Sequence, residues 1–256
     1  MPDPFLTIGG RRLEYAWYGD AAAPGPVLVF LHEGLGCVEL WRDVPEALAR
    51  LTGRRAFAYS RAGYGRSDAC PLPRPADYHE PEAFDVLPAV LDATGISETI
   101  LIGHSDGGTI ALLAAGRDAR IRGIVTMAAH VFNEAETLRG IREARRAWDT
   151  TGLRQKLARY HGANVDTAFH GWNDTWQRPG FRHWNVESHL AAVTCPVLAV
   201  QGADDQYGTD AQVAAIAAGV SGPAETLLIP GCGHAPHQEA PDALFPAIAR
   251  FVAGLA

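Results

Sequence analysis

The sequence predicts an α/β protein, a mostly parallel sheet with helices on both faces. Three observations lead there. Short apolar runs alternate with stretches of helical period along most of the chain. One of those runs ends in Gly103-His104-Ser105-Asp106-Gly107, a tight turn that leads straight into a helix-like stretch. The alternation stops over residues 132–190 and then resumes, so one block is inserted into an otherwise regular rhythm.

Residues 5–8 and 13–18, broken by Gly9-Gly10, read as a β-hairpin. Val27–Leu31 is continuously apolar, the pattern of a strand buried on both faces. Residues 40–51 have helical periodicity and stop near Gly53; 55–59 is the next strand and 83–93 the next helix. Strand 99–102 enters the serine turn and its helix, and 121–127 is another strand. The inserted block is rich in charge and aromatic residues, among them Trp148, Phe169, Trp172, Trp176 and Trp184. After it come strand 196–201, helix 209–218, strand 225–229 and a terminal helix over 241–255. Open α/β sheets bind ligands beyond the carboxyl ends of their strands, so a helical insertion late in the sheet reads as a lid over that edge. The division expected is a core of residues 1–130 and 191–256 with a helical cap over 131–190. A dimerisation surface or a second small domain are the plainer readings of that block.

A chain of 256 residues fits one domain with an insertion. Its 47% hydrophobic and 20% charged residues suit a globular enzyme with a large core. The net charge is -7 and no lysine- or arginine-rich block occurs, which argues against nucleic acid or an anionic membrane as the main partner. The four cysteines are scattered without a Cys-x-x-Cys pair, and Met1-Pro2-Asp3-Pro4 lacks the basic-then-apolar signature of a signal peptide. No apolar run approaches the roughly 18 residues that a membrane span needs. The expectation is a cytoplasmic protein with reduced thiols, monomeric or a homodimer. The ten histidines are dispersed, and His234 and His237, three apart, have no carboxylate or cysteine cluster beside them. No metal is expected.

A serine on a tight strand–helix turn must take up a strained backbone, and glycines two residues either side let strand and helix approach. Its hydroxyl is then lifted into the open, at a helix N-terminus whose N–H groups favour an anion. Serine alone is a poor nucleophile; it needs a base, an acid to orient the base, and donors for the oxyanion. With an elbow of this kind the acid and base follow the serine in the chain. Gly202-Ala203-Asp204-Asp205 leaves the strand 196–201, and Asp205 is the candidate acid, with Asp204 capping the turn locally. His234, flanked by Gly233 on the loop after the last strand, is the candidate base; His237 is the lesser one and more naturally packs against the loop or the next helix. The oxyanion donors should be the N–H groups of Asp106 and of Gly34, in His32-Glu33-Gly34-Leu35-Gly36.

That loop, Ser60-Arg61-Ala62-Gly63-Tyr64-Gly65-Arg66-Ser67, the elbow, Asp205, and Gly233-His234 followed by Glu239-Ala240-Pro241 together resemble the α/β-hydrolase fold family. More narrowly, they are similar to its cofactor-free esterase, carbon–carbon hydrolase and MenH-like branch. The likeness covers essentially the whole chain. It implies a sheet of about eight strands with a helical cap after the sixth, a Ser105, Asp205 and His234 triad, and oxyanion donors Gly34 and Asp106. Two residues depart from the pattern. Glu33 stands where many members have glycine, and the plain expectation is that it pairs with Arg61; the sharper one makes it a substrate contact or an extra acid–base group. Asp106 follows the serine where methionine or leucine is common, so its charge must be hydrogen-bonded or solvated.

The chemistry so implied is hydrolysis of a carboxylic ester with a small or medium acyl group, by an acyl-enzyme on Ser105 and without a cofactor. The partner is a small-molecule acyl substrate. Serine in the elbow speaks against the haloalkane dehalogenase and epoxide hydrolase branches, whose members use aspartate there. Trp172, Trp176 and Trp184 either line an apolar acyl pocket or pack the cap on the core. His170, Arg178 and His183 would meet a substrate carboxylate if the reaction were carbon–carbon cleavage or a MenH-like lyase step on the same triad. A binding protein that keeps the triad but turns nothing over is the remaining alternative.

Overall fold

A computed structural model describes residues 4–255; Met1, Pro2 and Asp3, read above for a targeting signature, and Ala256 lie outside the described residues. Eight strands form one sheet in the order β1-β2-β4-β3-β5-β6-β7-β8. β1 (Phe5–Ile8) and β2 (Arg11–Tyr18) are the expected hairpin, and β2 runs antiparallel to β4 (Ala56–Tyr59). From there every pair is parallel: β4 with β3 (Val27–Leu31), β3 with β5 (Thr99–His104), then β6 (Ile121–Met127), β7 (Val197–Gly202) and β8 (Ala224–Ile229).

β3 shows why the parallel strands read as unbroken apolar runs. Leu28 and Phe30 enter the layer beneath α1 (Val44–Thr52) and the C-terminal helix, with Leu48 and Ile248, while Val29 and Leu31 enter the opposite layer. That second layer is covered by α2 (Leu87–Thr94), α3 (Asp106–Ala115) and, after the insertion, by Ala211–Gly219. The central strands are therefore dry on both faces, and there the strand ends remain for a site.

Two helices differ from expectation. Residues 40–51 are not one helix: a 3-10 turn, Glu39–Trp41, is separated from α1 by Arg42, whose φ is 54°. Residues 83–93 open with a wider π-turn, Glu82–Val86, before α2; Pro88 has no N–H to offer the carbonyl four residues back, which loosens regular α bonding there.

Between β6 and β7 the chain forms α4 (Ala135–Thr150), α5 (Leu153–His161) and α6 (Val165–Trp176), then 3-10 turns at Pro179–His183 and Glu187–Ala192. These elements have a small core of their own, with Ile141, Phe169, Trp176 and Phe181 buried and Trp148 stacked 3.9 Å from Phe169. They are tied to the loops at the carboxyl ends of β3 and β4. His161 bridges the Gly65 N–H and the Leu35 carbonyl at 2.9 Å each, and the Asn164 amide donates to the Ser67 carbonyl at 2.6 Å. Among the described residues no helix is long and apolar enough to cross a membrane. The α7 (Ala211–Gly219) and α8 (Pro241–Ala253) helices complete the fold.

Candidate active site

β5 runs through the middle of the sheet and stays in register with β6 to His104, two residues further than the apolar run alone indicates. Ser105 follows at φ 51° and ψ -117°, and α3 begins at the next residue. This strained backbone is fixed by its neighbours: the Ser105 N–H donates to the Met127 carbonyl, and its own carbonyl accepts from Gly108 and Thr109. The flanking glycines are demanded by space. A Cβ on Gly103 would come within 2.3 Å of the Gly107 carbonyl oxygen, and one on Gly107 within 1.9 Å of the Leu31 carbonyl oxygen.

The candidate acid and base meet across the ends of β7 and β8. His234 Nδ1 lies 2.9 and 2.8 Å from the two carboxylate oxygens of Asp205. Asp205, its side chain fully buried, also accepts from the Tyr207 N–H at 2.8 Å and the Gln201 amide at 2.6 Å. Burial alone would favour the neutral acid, but the bonds from His234 and Tyr207 outweigh it and hold the carboxyl below its ordinary range. With Nδ1 committed to Asp205, Nε2 is the nitrogen left to face a substrate or Ser105. Asp204 is exposed on the same turn. His237 is buried against Trp41 and His104, and burial first, then the neighbouring His104, push its pKa down to about 3.

Ser105, Gly34 and His234 border one cavity of about 230 Å³, with Glu33, Trp172 and Tyr207 in its walls. Asp106 is the first residue of α3, so its N–H has no partner within the helix. Trp172 covers the oxyanion loop: a Cβ on Gly34 would meet its indole at 2.2 Å. Trp176 and Trp184 do not reach this cavity. Trp176 stands behind the elbow with Phe181 and Trp184 around it, and Trp184 packs against the sheet's core, so both serve packing rather than the pocket. His170 faces Asp174, and Arg178 donates to the Arg74 carbonyl, neither of them in the cavity wall.

Of the two departures, Asp106 is hydrogen-bonded as expected, whereas Glu33 does not pair as expected. Arg61 does not pair with the Glu33 carboxylate. Its guanidinium donates to the backbone carbonyls of His32 and Glu33 and lies 3.6 Å from Asp106. The Asp106 side chain is buried and enclosed: the Tyr78 hydroxyl donates to it at 2.7 Å, and His79 Nε2 is 3.3 Å away. Against the cost of burial, His79, Arg61 and Tyr78 keep this carboxyl ionised well below its usual range. The Trp176 indole N–H donates in turn to the Tyr78 oxygen at 3.0 Å, which links α6 to the elbow. Glu33 instead turns its carboxylate towards His104, 3.4 Å from Nδ1. Sequence reasoning passed over Tyr78, His79, His104 and Tyr207. For His104 and Tyr207 a signal existed in their position, one and two residues from Ser105 and Asp205; for the other two there was none.

Comparison with known proteins agrees with this fold. The family model described as the alpha/beta hydrolase fold matches residues 26–191. The chain is 30% identical over 137 residues to Epoxide hydrolase 2 of Siraitia grosvenorii, which is 52% of this chain and 40% of that protein. It is 36% identical over 113 residues to the 2-hydroxymuconate semialdehyde hydrolase of Pseudomonas sp. strain CF600, 42% of this chain and 38% of that one. Each match thus takes in less than half of the curated relative. The enol-lactonase from Burkholderia xenovorans LB400 superposes with a TM-score of 0.76 over 98% of this chain and 100% of that one, at 20% identity, a likeness of fold. The match of the family model over more than half the sequence, on a sheet of this order and an elbow of this shape, makes the chain a member of the α/β-hydrolase fold family.

Proposed function

We propose that the protein is a serine hydrolase that cleaves a carboxylic ester of small acyl group, with no cofactor in the reaction. The observation that supports this best is the sharing of one cavity by a strained Ser105 and by His234, whose Nδ1 is held by Asp205. Ser105 attacks the carbonyl while His234 Nε2 takes its proton; Asp205 fixes the tautomer and steadies the imidazolium. The N–H groups of Gly34 and Asp106 receive the oxyanion, each donor worth on the order of 3 kcal/mol in the barrier. His234 then protonates the leaving alcohol and activates the water that releases the acid.

The size of the cavity narrows the substrate. At about 230 Å³ it lies below the roughly 300 Å³ at which sites for drug-sized ligands begin. In this reading α4–α6 act as a lid, and Trp172 on α6 closes the acyl end above Gly34. A carbon–carbon hydrolase, the alternative chemistry on the same triad, would want a basic pocket for an acidic substrate. Glu33 and Glu239 border this one, and His170 and Arg178 are turned elsewhere. The Ser105 of the elbow likewise sets the chain apart from the aspartate expected of epoxide hydrolases.

The test is hydrolysis of p-nitrophenyl esters from acetate to decanoate, with Ser105→Ala as control and fluorophosphonate labelling of Ser105 alongside. Turnover should peak at the short esters and fall by about a thousandfold or more in Ser105→Ala. Absence of both labelling and turnover in the wild type would overturn the reading.

A further inference from the structure

His104 is used by none of the steps above, yet it touches all three parts of the machinery. It immediately precedes Ser105. Its Nε2 lies 2.7 Å from the backbone carbonyl oxygen of His234 itself. Its Nδ1 lies 3.4 Å from a carboxylate oxygen of Glu33, the residue immediately before Gly34. Among the described residues Glu33 is the one acid within ion-pair reach of this ring. The His104 side chain is 4% exposed, so water does not stand in for either partner.

Both ring nitrogens therefore face acceptors. A carbonyl oxygen only accepts, so Nε2 must hold a proton. A bare Nδ1 lone pair would then point at a carboxylate oxygen in a buried place, an arrangement that opposes like dipoles and leaves a polar atom unsatisfied. The protonation state that suits both ends is the imidazolium paired with an ionised Glu33. We propose that His104 is a charged positioning residue, a clamp that fastens the base loop and the oxyanion loop to the strand bearing the nucleophile, and that Glu33 keeps it charged. This inference rests on the triad reading above and assigns a role to the Glu33 departure: neither substrate contact nor partner of Arg61, it is the counter-ion of the clamp.

The surroundings favour the same state. Burial works against the imidazolium, but Glu33 outweighs it, with help from the His234 carbonyl and the charge of Asp205 beyond; the His104 pKa is raised and that of Glu33 held far down. The other groups facing the ring are the His234 imidazole at 5.1 Å and the His237 imidazole at 4.8 Å. His237, with Arg42 beyond it, stays neutral because burial and the His104 charge depress it. Trp41, on the third side, contributes an uncharged indole.

The clamp is testable apart from turnover. Histidine ring NMR of the wild type, with the His104 signal assigned through His104→Phe, should show His104 protonated at neutral pH and titrating above the ordinary 6.5 or so. In Glu33→Gln the same signal should titrate at or below that value. Kinetically, Glu33→Gln should lower kcat for a short ester on the order of tenfold at pH 8, with KM within about twofold, because misplacement rather than lost binding is the fault. Its rate relative to wild type at the same pH should recover as the pH falls towards 6 and His104 regains its proton, so the ratio of the two rates has a limb that a purely structural defect would not show. His104→Phe, which removes both contacts, should lose kcat at every pH without that limb. A neutral His104 in the wild type, or Glu33→Gln with wild-type kcat and pH profile, would overturn the clamp even with Ser105 labelled normally. Should the wild type neither label nor turn over, the hydrolase reading fails, and the NMR titration still decides whether the clamp exists.

Discussion

Two acids border the proposed oxyanion donors, Asp106 on the elbow and Glu33 on the β3 loop, and the protein treats them in opposite ways. Asp106 is 1% exposed and has three partners, Tyr78, His79 and Arg61, none of them in the cavity. Glu33 is 26% exposed, borders the cavity and has one charged partner, His104. The first acid is part of the scaffold: its charge organises the back of the elbow. The second is partly open to solvent, so its charge is open to adjustment. Identical chemistry near Ser105 thus separates into support and tuning by burial and by the partners each acid meets.

The largest expected effect breaks the scaffold half. Asp106→Ala leaves the buried Arg61 guanidinium its carbonyl acceptors but takes away its counter-charge, which should cost about 3–5 kcal/mol of unfolding free energy in a urea titration. Glu33→Ala should cost clearly less; equal losses would erase the distinction drawn here. The pH dependence separates the two further. Asp106 has a depressed pKa when folded, so its contribution is complete above the ordinary carboxylate value of about 4 and is lost as the pH falls below it. Asp106→Asn should therefore flatten the acid limb of the stability curve. His104 is shifted the other way: the stability from its pair with Glu33 is complete below about 6.5 and is lost as the pH rises through its raised value, so Glu33→Gln should flatten the alkaline side.

Next in size is Tyr78→Phe, which deprives Asp106 of a donor and the Trp176 N–H of its acceptor. It should destabilise by about 1–3 kcal/mol while leaving KM for short esters unchanged. Trp172→Ala acts on the cavity side and should raise the decanoate-to-acetate ratio of kcat/KM by about tenfold, roughly 1.4 kcal/mol of discrimination. The smallest effect belongs to the exposed Arg154–Asp166 pair on α5 and α6, where Arg154→Ala should leave the urea midpoint essentially unchanged because solvent screens the pair.

The sequence was most informative where one local rule decides the outcome. The elbow needed only Gly103, Ser105 and Gly107 between an apolar run and a helix, and the strand–helix alternation gave the parallel sheet. Asp205 and His234 were reachable because the loops that hold them end strands at predictable places. Arg61 shows where this stops. A long cationic side chain can satisfy whichever acceptors the fold brings within reach, and here these are two loop carbonyls and Asp106 rather than the nearer acid in sequence. Trp176 and Trp184 were equally ambiguous, since an indole buries as much area in a lid's own core as in a pocket. The break at Arg42 depends on a single left-handed residue, which periodicity does not register.

Because Trp176 is hydrogen-bonded to Tyr78 and through it to Asp106, one end of α6 is not free to drift as sequences diverge, whereas Trp172, four residues earlier, packs by contact alone between Phe169, Tyr207 and Gly34 at the cavity. Substrate range can thus be retuned on this fold from one turn of a helix without loosening the next. A library randomised at 172 should yield many soluble proteins with altered acyl preference, and one randomised at 176 few soluble proteins of any preference.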